Sequence, residues 1–228
     1  MIRLSDKEPF ANGSHRDVYR HPGREDRCLK LMTEDWKDSL RWKKANVISR
    51  MIRPNGYYSE SHGELYFSND LERRLGSAGW NFVAQARGFV DSDLGPVLEV
   101  NLIRDYDGKI SRTLKEHVWR HGLLPTYEQA LDVFWHQLDE HWVFVAARPD
   151  NLAVQMNADG TCQIFAIDGF RYGRLIPIGK WFRVEQRRIL AKRKRMVARK
   201  LEEIVTRRQT GGDIGKNGMI KSTQQPPG

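Results

Sequence analysis

Three short stretches carry side chains suited to phosphate and metal chemistry. "RCLK" ends in Lys30, "RPDN" ends in Asn151, and "IDGF" contains Asp168. A lysine ammonium is a compact charge that contacts phosphate, and carboxylate and amide oxygens are the donors that suit a hard cation such as magnesium. Each stretch also has a plainer explanation, since lysine occurs in strands and Pro-Asp-Asn is an ordinary turn. Other chemistry-bearing residues are sparser. His117 and His121 lie four apart on an expected helix, a spacing open to zinc, but no third ligand or HExxH pattern accompanies them. Cys28 and Cys162 stand alone, without CxxC partners, and read as reduced thiols. There is no nucleophile elbow.

The elements that must position these residues follow from periodicity and turn signals. "MIRLS", "RDVYRHP" and "RCLKLM" read as strands, separated by turn signals at Asn12-Gly13 and Pro22-Gly23. Residues 33–58 are polar and aromatic with weak periodicity. Residues 62–76 are expected to be helical, with Leu65, Leu71 and Leu75 recurring and Gly76 as a stop. "FVAQARGFV" and "PVLEVNLI" read as strands. Two helices follow: "SRTLKEHVWRHGL", capped by Ser111 or Thr113, and "TYEQALDVFWHQLDEHW", capped by Thr126. "NLAVQM" and "CQIFAI" form a hairpin around Asn157, Asp159 and Gly160, and residues 180–208 form a long helix with Leu190, Val197, Leu201 and Ile204 on one side. The fold class is α+β: a strand-rich N-terminal lobe over 1–98, a reduced helical lobe over 99–207, and a disordered tail over 208–228 rich in Gly, Pro and Gln.

Charge is uneven. The 228-residue chain carries a net charge of +9, and residues 180–208 alone hold 12 Lys or Arg against three Glu. The remaining 26 basic and 26 acidic groups cancel. That localisation points to an acidic partner for the last helix, nucleic acid or an acidic protein ahead of an anionic membrane surface. No apolar run is long enough to span a bilayer and the N-terminus has no signal-peptide core, so a cytoplasmic protein without a transmembrane segment is expected.

The order of elements, and the register of the three stretches, resemble a small bilobal protein-kinase-like fold. Residues 11–18, "ANGSHRDV", are similar to the kinase glycine loop G-x-G-x-x-G-x-V, with Gly13 as the surviving middle glycine. "RCLK" resembles V-A-I-K, "RPDN" resembles K-P-E-N, and "IDGF" stands where D-F-G would. The resemblance implies ATP and Mg²⁺ as ligands. Lys30 would contact the phosphates, Asn151 and Asp168 would hold the metal, and the backbone near Glu99 to Asn101 would be an adenine hinge. A glutamate on the following helix would orient Lys30: Glu64, with Glu60 as the second candidate and residues 33–58 as an insertion. Arg16 or His15 would stand in for the lost glycines at phosphate. The catalytic aspartate position, five residues before Asn151, is Ala146, so no catalytic residue is assigned. General-base catalysis is typically worth about 10²–10⁴-fold in rate.

"MIRLS", "LIRDYDGKISRTLKEH" and "RLIPIGKW" are similar to the YrbL family, named for the PhoP regulatory network, over residues 1–207. That resemblance implies a small kinase-like bacterial protein of the cytoplasm and no known reaction. With Ala146 at the catalytic position and two of the loop glycines replaced, a regulatory protein of pseudokinase type with weak or absent phosphotransfer is expected. The competing expectation is a non-catalytic nucleic-acid-binding or adaptor protein acting through the basic helix.

Overall fold

Successive side chains of a strand point to opposite faces, and "RCLKLM" has apolar or buried groups on both. The computed structural model, which describes residues 1–13, 16–32, 60–170, 183–215 and 218–221, makes this segment strand β3 (Arg27–Met32), with Cys28 to Leu31 buried. Around it lie β1 (Ala11–Asn12), β2 (Arg16–Arg20), β4 (Ala86–Ser92) and β5 (Gly95–Asn101), in an antiparallel sheet of order β1-β2-β3-β5-β4. One side of the sheet gathers Leu4, Tyr19, Leu29, Leu31 and Val97, edged by Ile2, Val90 and Leu94. Burying each such leucine or valine stabilises the fold by about 1.5–3 kcal/mol. On the other side the register sets Arg16 opposite Met32 and Val18 opposite Lys30, so the two cations share a face. "MIRLS" is not a full strand. Ile2 makes an isolated bridge to Ser92, and Asp93 accepts from the Leu4 and Ser5 N–H groups.

Helix α1 (Glu60–Leu75) covers the cation-bearing face and ends at Gly76, whose φ of +56° is the left-handed stop that glycine adopts freely. Its buried residues are Ser61, Glu64, Phe67, Ser68 and Leu71. Three of these five are polar, so the packed stripe runs through residues other than Leu65 and Leu75, and the leucine spacing marked the helix without marking its packed side. Ser68 Oγ accepts from the Ala86 N–H at 3.0 Å, tying α1 to the start of β4. The stretch at 33–58, His15 and the "RLIPIGKW" segment lie outside the described residues.

The chain divides into two compact units, 1–76 with 85–102, and 77–84 with 103–228, so the boundary falls at Leu102 rather than at residue 98. The "FVA" of the expected strand over 82–90 belongs to the second unit. There Val83 bridges Ala166, with the Ala84 N–H donating to the Ala166 carbonyl and the Ala166 N–H to the Phe82 carbonyl, both at 2.9 Å. The second unit contains α2 (Leu114–His121), α3 (Pro125–Glu140), the hairpin of β6 (Leu152–Met156) and β7 (Cys162–Ala166), and α4 (Arg183–Gln209). Thr113 caps α2 by accepting from the Glu116 N–H. The expected cap Thr126 is not one: α3 begins at Pro125 after Leu124, because proline at the first helical position brings a preset φ and has no N–H to satisfy. α4 packs through Gln186, Leu190, Val197 and Leu201, while Ile204 is half-buried.

The tail expected to be disordered is anchored where it is described. The helix continues to Gln209. Beyond it, Lys115 Nζ donates to the Gly215 carbonyl at 3.0 Å and Thr113 Oγ1 to the Gly218 carbonyl at 2.6 Å. The Ile220 N–H donates to Glu116 Oε2, and the Ile220 side chain is buried. One apolar residue and a few backbone carbonyls suffice here, which a composition average over the tail hides. Residues 222–228 lie outside the described residues.

His117 on α2 gives the second unit a pH dependence. The side chain is buried, its Nδ1 lies 3.2 Å from Tyr127 Oη, and among the described residues its Nε2 has no hydrogen-bond partner. Burial, then the neighbouring His121, push its pKa down to about 4; Arg112 and Arg120 act the same way and Glu116 opposes them. The imidazole must stay neutral in the folded state, so its contribution is present above the unfolded value of about 6.5 and is lost as pH falls towards 4. Between pH 7 and pH 5 this one group is expected to cost about 2 kcal/mol of stability. Urea denaturation of wild type and His117→Gln at the two pH values checks it: the variant should lose less stability on acidification by that amount.

Candidate functional site

The site residues fall in two groups, one in each unit. In the first unit β3 presents Lys30 and β2 presents Arg16 on one sheet face, and α1 lays Glu64 against both. Lys30 Nζ donates to Glu64 Oε1 at 2.5 Å and Arg16 Nη1 to Glu64 Oε2 at 2.6 Å, so each carboxylate oxygen holds one cation. Lys30 is 7% exposed, Arg16 4% and Glu64 1%, which makes this an ion cluster inside the fold and not a solvated pair. Charges this deep carry a desolvation penalty of several kcal/mol each and persist only with good partners. The sequence paired Lys30 with Glu64 across 34 positions, and the structure makes that pair. Arg16, expected at phosphate, reaches the same glutamate. Cys28, on the Lys30 face, is buried, and burial pushes its thiol up to about 11, against weaker opposing pulls from Lys30 and Arg16. Cys162 is also pushed up to about 11 by burial, and both cysteines are free thiols. Neither is poised to act as a nucleophile.

Gly13 occupies a tight turn, its N–H donating to the Arg16 carbonyl at 2.8 Å, with that oxygen 3.3 Å from where a Cβ would stand. The adenine-hinge expectation does not fit the backbone at Glu99 to Asn101. β5 is an inner strand flanked by β3 and β4, and the Asn101 N–H is already donated to the Gln85 carbonyl. The side chains are engaged as well: Glu99 with Arg24 at 3.2 Å, and Asn101 with Arg27 at 2.6 Å and Arg87 at 2.9 Å.

In the second unit a short 3₁₀ turn (Pro149–Asn151) leads into β6, and Asp168 follows β7, so the hairpin brings the two loops together. The Asn151 carbonyl accepts from the Ile167 N–H at 3.0 Å, and the Ala146 N–H donates to the Gly169 carbonyl at 2.8 Å. Asn151 Nδ2 points at the Ala146 carbonyl at 3.4 Å, and among the described residues no donor takes its Oδ1. Asp168 Oδ1 accepts from the Gly169 N–H at 2.5 Å. Gly169, with φ of +84°, fits so closely that a Cβ would lie 2.8 Å from the Ala146 carbonyl oxygen and 3.0 Å from Asn151 Nδ2. An amide oxygen and a carboxylate on abutting loops are a donor set suited to magnesium, which keeps further positions for phosphate and water. Among the described residues no group of three or more His, Cys, Asp or Glu could hold a metal ion.

Position 146 offers only a methyl group. Asp150, the nearest carboxylate in sequence, is tied to Arg148 at 3.0 Å and packs against Gly218 of the tail. Sequence reasoning passed over the packing role of Gly169, although Asp-Gly was signal enough for a turn, and over Glu116. That glutamate is fully buried between Arg112 and Arg120 and anchors the tail.

No helix among the described residues is long and apolar enough to cross a membrane. The chain is 25% identical over 185 residues to the "Uncharacterized protein YrbL" of Escherichia coli (strain K12), covering 79% of each chain, and equally to the protein of that name from Shigella flexneri. The family model described as PhoP regulatory network protein YrbL matches residues 2–202. By that match, which takes in most of its length, the chain belongs to the family of PhoP regulatory network protein YrbL.

Proposed function

We propose that this protein is a kinase-like, pseudokinase-type regulatory protein that binds ATP with magnesium and transfers phosphate slowly or not at all. The observation that carries the reading is the buried Lys30–Glu64 pair, a strand lysine aimed by a helix glutamate. Kinases hold nucleotide phosphates with this pairing. The abutting loops that carry Asn151 and Asp168 support it, since theirs are the two side chains that would hold magnesium. The metal would neutralise phosphate charge. Lys30 would contact phosphate oxygens, and Glu64 would keep its ammonium from wandering. With Ala146 where a proton acceptor is needed, a hydroxyl nucleophile has no base, and turnover falls by the share that general-base catalysis supplies.

A thermal-shift titration tests this. At free ATP–Mg²⁺ ten times its Kd, binding stabilises the native state by about 1.4 kcal/mol, a rise in Tm of roughly 3–5 °C for a chain of this size. Asp168→Asn should abolish the rise, and phosphate release should stay near background. No rise in wild type, or one that Asp168→Asn retains in full, sinks the reading and favours a non-catalytic adaptor.

A further inference from the structure

The long helix α4 packs through Gln186, Leu190, Val197 and Leu201, which lie on one side of the helix. At about 100° per residue, Arg188, Lys192, Arg195 and Arg199 fall directly opposite, within an arc of about 60°. All four are exposed. They recur at spacings of four, three and four residues, one cation per turn, along about 16 Å of helix. Arg187 and Lys194, nearer the packed side, are used differently: they pair with Asp139 at 3.4 Å and Asp132 at 2.5 Å on α3. On the outer stripe the acidic contacts are long and exposed, Arg188 to Glu185 at 3.8 Å and Arg199 to Glu203 at 3.6 Å, and such pairs cancel little of the field.

We propose that this outer face of α4, Arg188, Lys192, Arg195 and Arg199, is a docking surface for the phosphate backbone of duplex DNA. A row of cations with one turn's spacing, three of them guanidinium groups, is complementary to a polyanion with regularly placed phosphates. The helix contains no aromatic residue, so it lacks the groups that stack on unpaired bases and those that anchor a helix at a lipid interface. The major groove of B-DNA admits a helix, whereas that of an RNA duplex is too narrow. Contacts of this kind are made to phosphate and carry little sequence preference. The surface lies wholly in the second unit.

The test is fluorescence anisotropy of a 20-base-pair DNA duplex of arbitrary sequence, titrated with the full chain between 50 and 200 mM salt. Four neutralised phosphates predict a log–log salt slope of about −3.6, an affinity loss of about 150-fold across that range. Replacing Arg188, Lys192, Arg195 and Arg199 by Gln should flatten the slope to near zero. A charge-matched variant, with Arg3, Lys7, Arg73 and Arg74 replaced by Gln, should keep it. Circular dichroism and Tm confirm that both variants fold, as expected for exposed positions. Absence of binding at 50 mM salt overturns the proposal, as does binding that both variants weaken equally. Tighter binding to an RNA duplex of the same length, or to phosphatidylserine vesicles at equal charge, overturns the assignment to DNA.

Discussion

Replacing Glu64 by leucine is expected to destabilise the protein by about 3–5 kcal/mol, because it leaves Lys30 and Arg16 buried side by side without the carboxylate that holds both. For a chain of this length that corresponds to a fall in Tm of roughly 10 °C. The cost is mostly that of exposing two desolvated cations to each other, and only secondarily that of two lost hydrogen bonds. A cycle separates the two. If the cluster is held against its own desolvation penalty, the triple change Arg16→Met, Lys30→Met and Glu64→Leu should recover most of the loss, since apolar side chains of similar size remove the penalty altogether. Strong non-additivity between the single and triple variants is expected for groups in direct contact. Denaturant melts on wild type, the three single variants and the triple variant read the result. A cost below about 1 kcal/mol for Glu64→Leu alone is the behaviour of an exposed ion pair and would contradict the burial. The recovered triple variant should still fail to respond to ATP–Mg²⁺, and that failure separates the cluster's service to function from its service to stability.

That cluster also marks where the sequence was legible and where it stopped. β3 announced itself because "RCLKLM" is a short, largely apolar run set off by the Pro22-Gly23 turn signal, and the β6–β7 hairpin because Asn157, Asp159 and Gly160 punctuate two apolar segments. α4 was readable from Leu190, Val197 and Leu201, which repeat on one side. The helix carrying Glu64 was found through Leu65, Leu71 and Leu75, but its packed face runs through Ser61, Glu64, Phe67 and Ser68. Polar side chains that are buried because they have partners leave no hydrophobic period to count. Those partners, Lys30, Arg16 and the Ala86 N–H, lie on other elements. The same holds for Glu116, whose burial depends on Arg112, Arg120 and a tail residue 104 positions away. The division of "FVAQARGFV" between two units was equally hidden, since Phe82 to Ala84 and Ala86 to Ser92 are both strand-like locally and only the pairing of Val83 with Ala166 separates them. Local pattern fixes an element's type; which residues of it meet a distant partner is a property of the tertiary structure.

Gly169 concentrates the other large expected effect in a single hydrogen atom. Its φ of +84° lies where an L residue is disfavoured by about 1–2 kcal/mol. A Cβ there would also stand 2.8 Å from the Ala146 carbonyl oxygen and 3.3 Å from its carbon, both backbone atoms with no freedom to turn aside. Overpacking of this kind typically adds about 1–3 kcal/mol, so Gly169→Ala should cost about 2–5 kcal/mol. The strain has a direction. The Ala146 N–H to Gly169 carbonyl bond, at 2.8 Å, closes the same contact from the other side, so relief requires the two loops to part. Parting them moves Asp168 away from Asn151, whose Nδ2 is the third atom against the added methyl. The variant should therefore lose stability in urea melts and, where it remains folded, lose its response to magnesium nucleotide. Gly76→Ala is the control: it also sits at positive φ, +56°, but meets nothing within 4 Å, so it should show the backbone cost alone and keep the ligand response. Equal losses in the two variants would mean that the close approach at Ala146 contributes nothing.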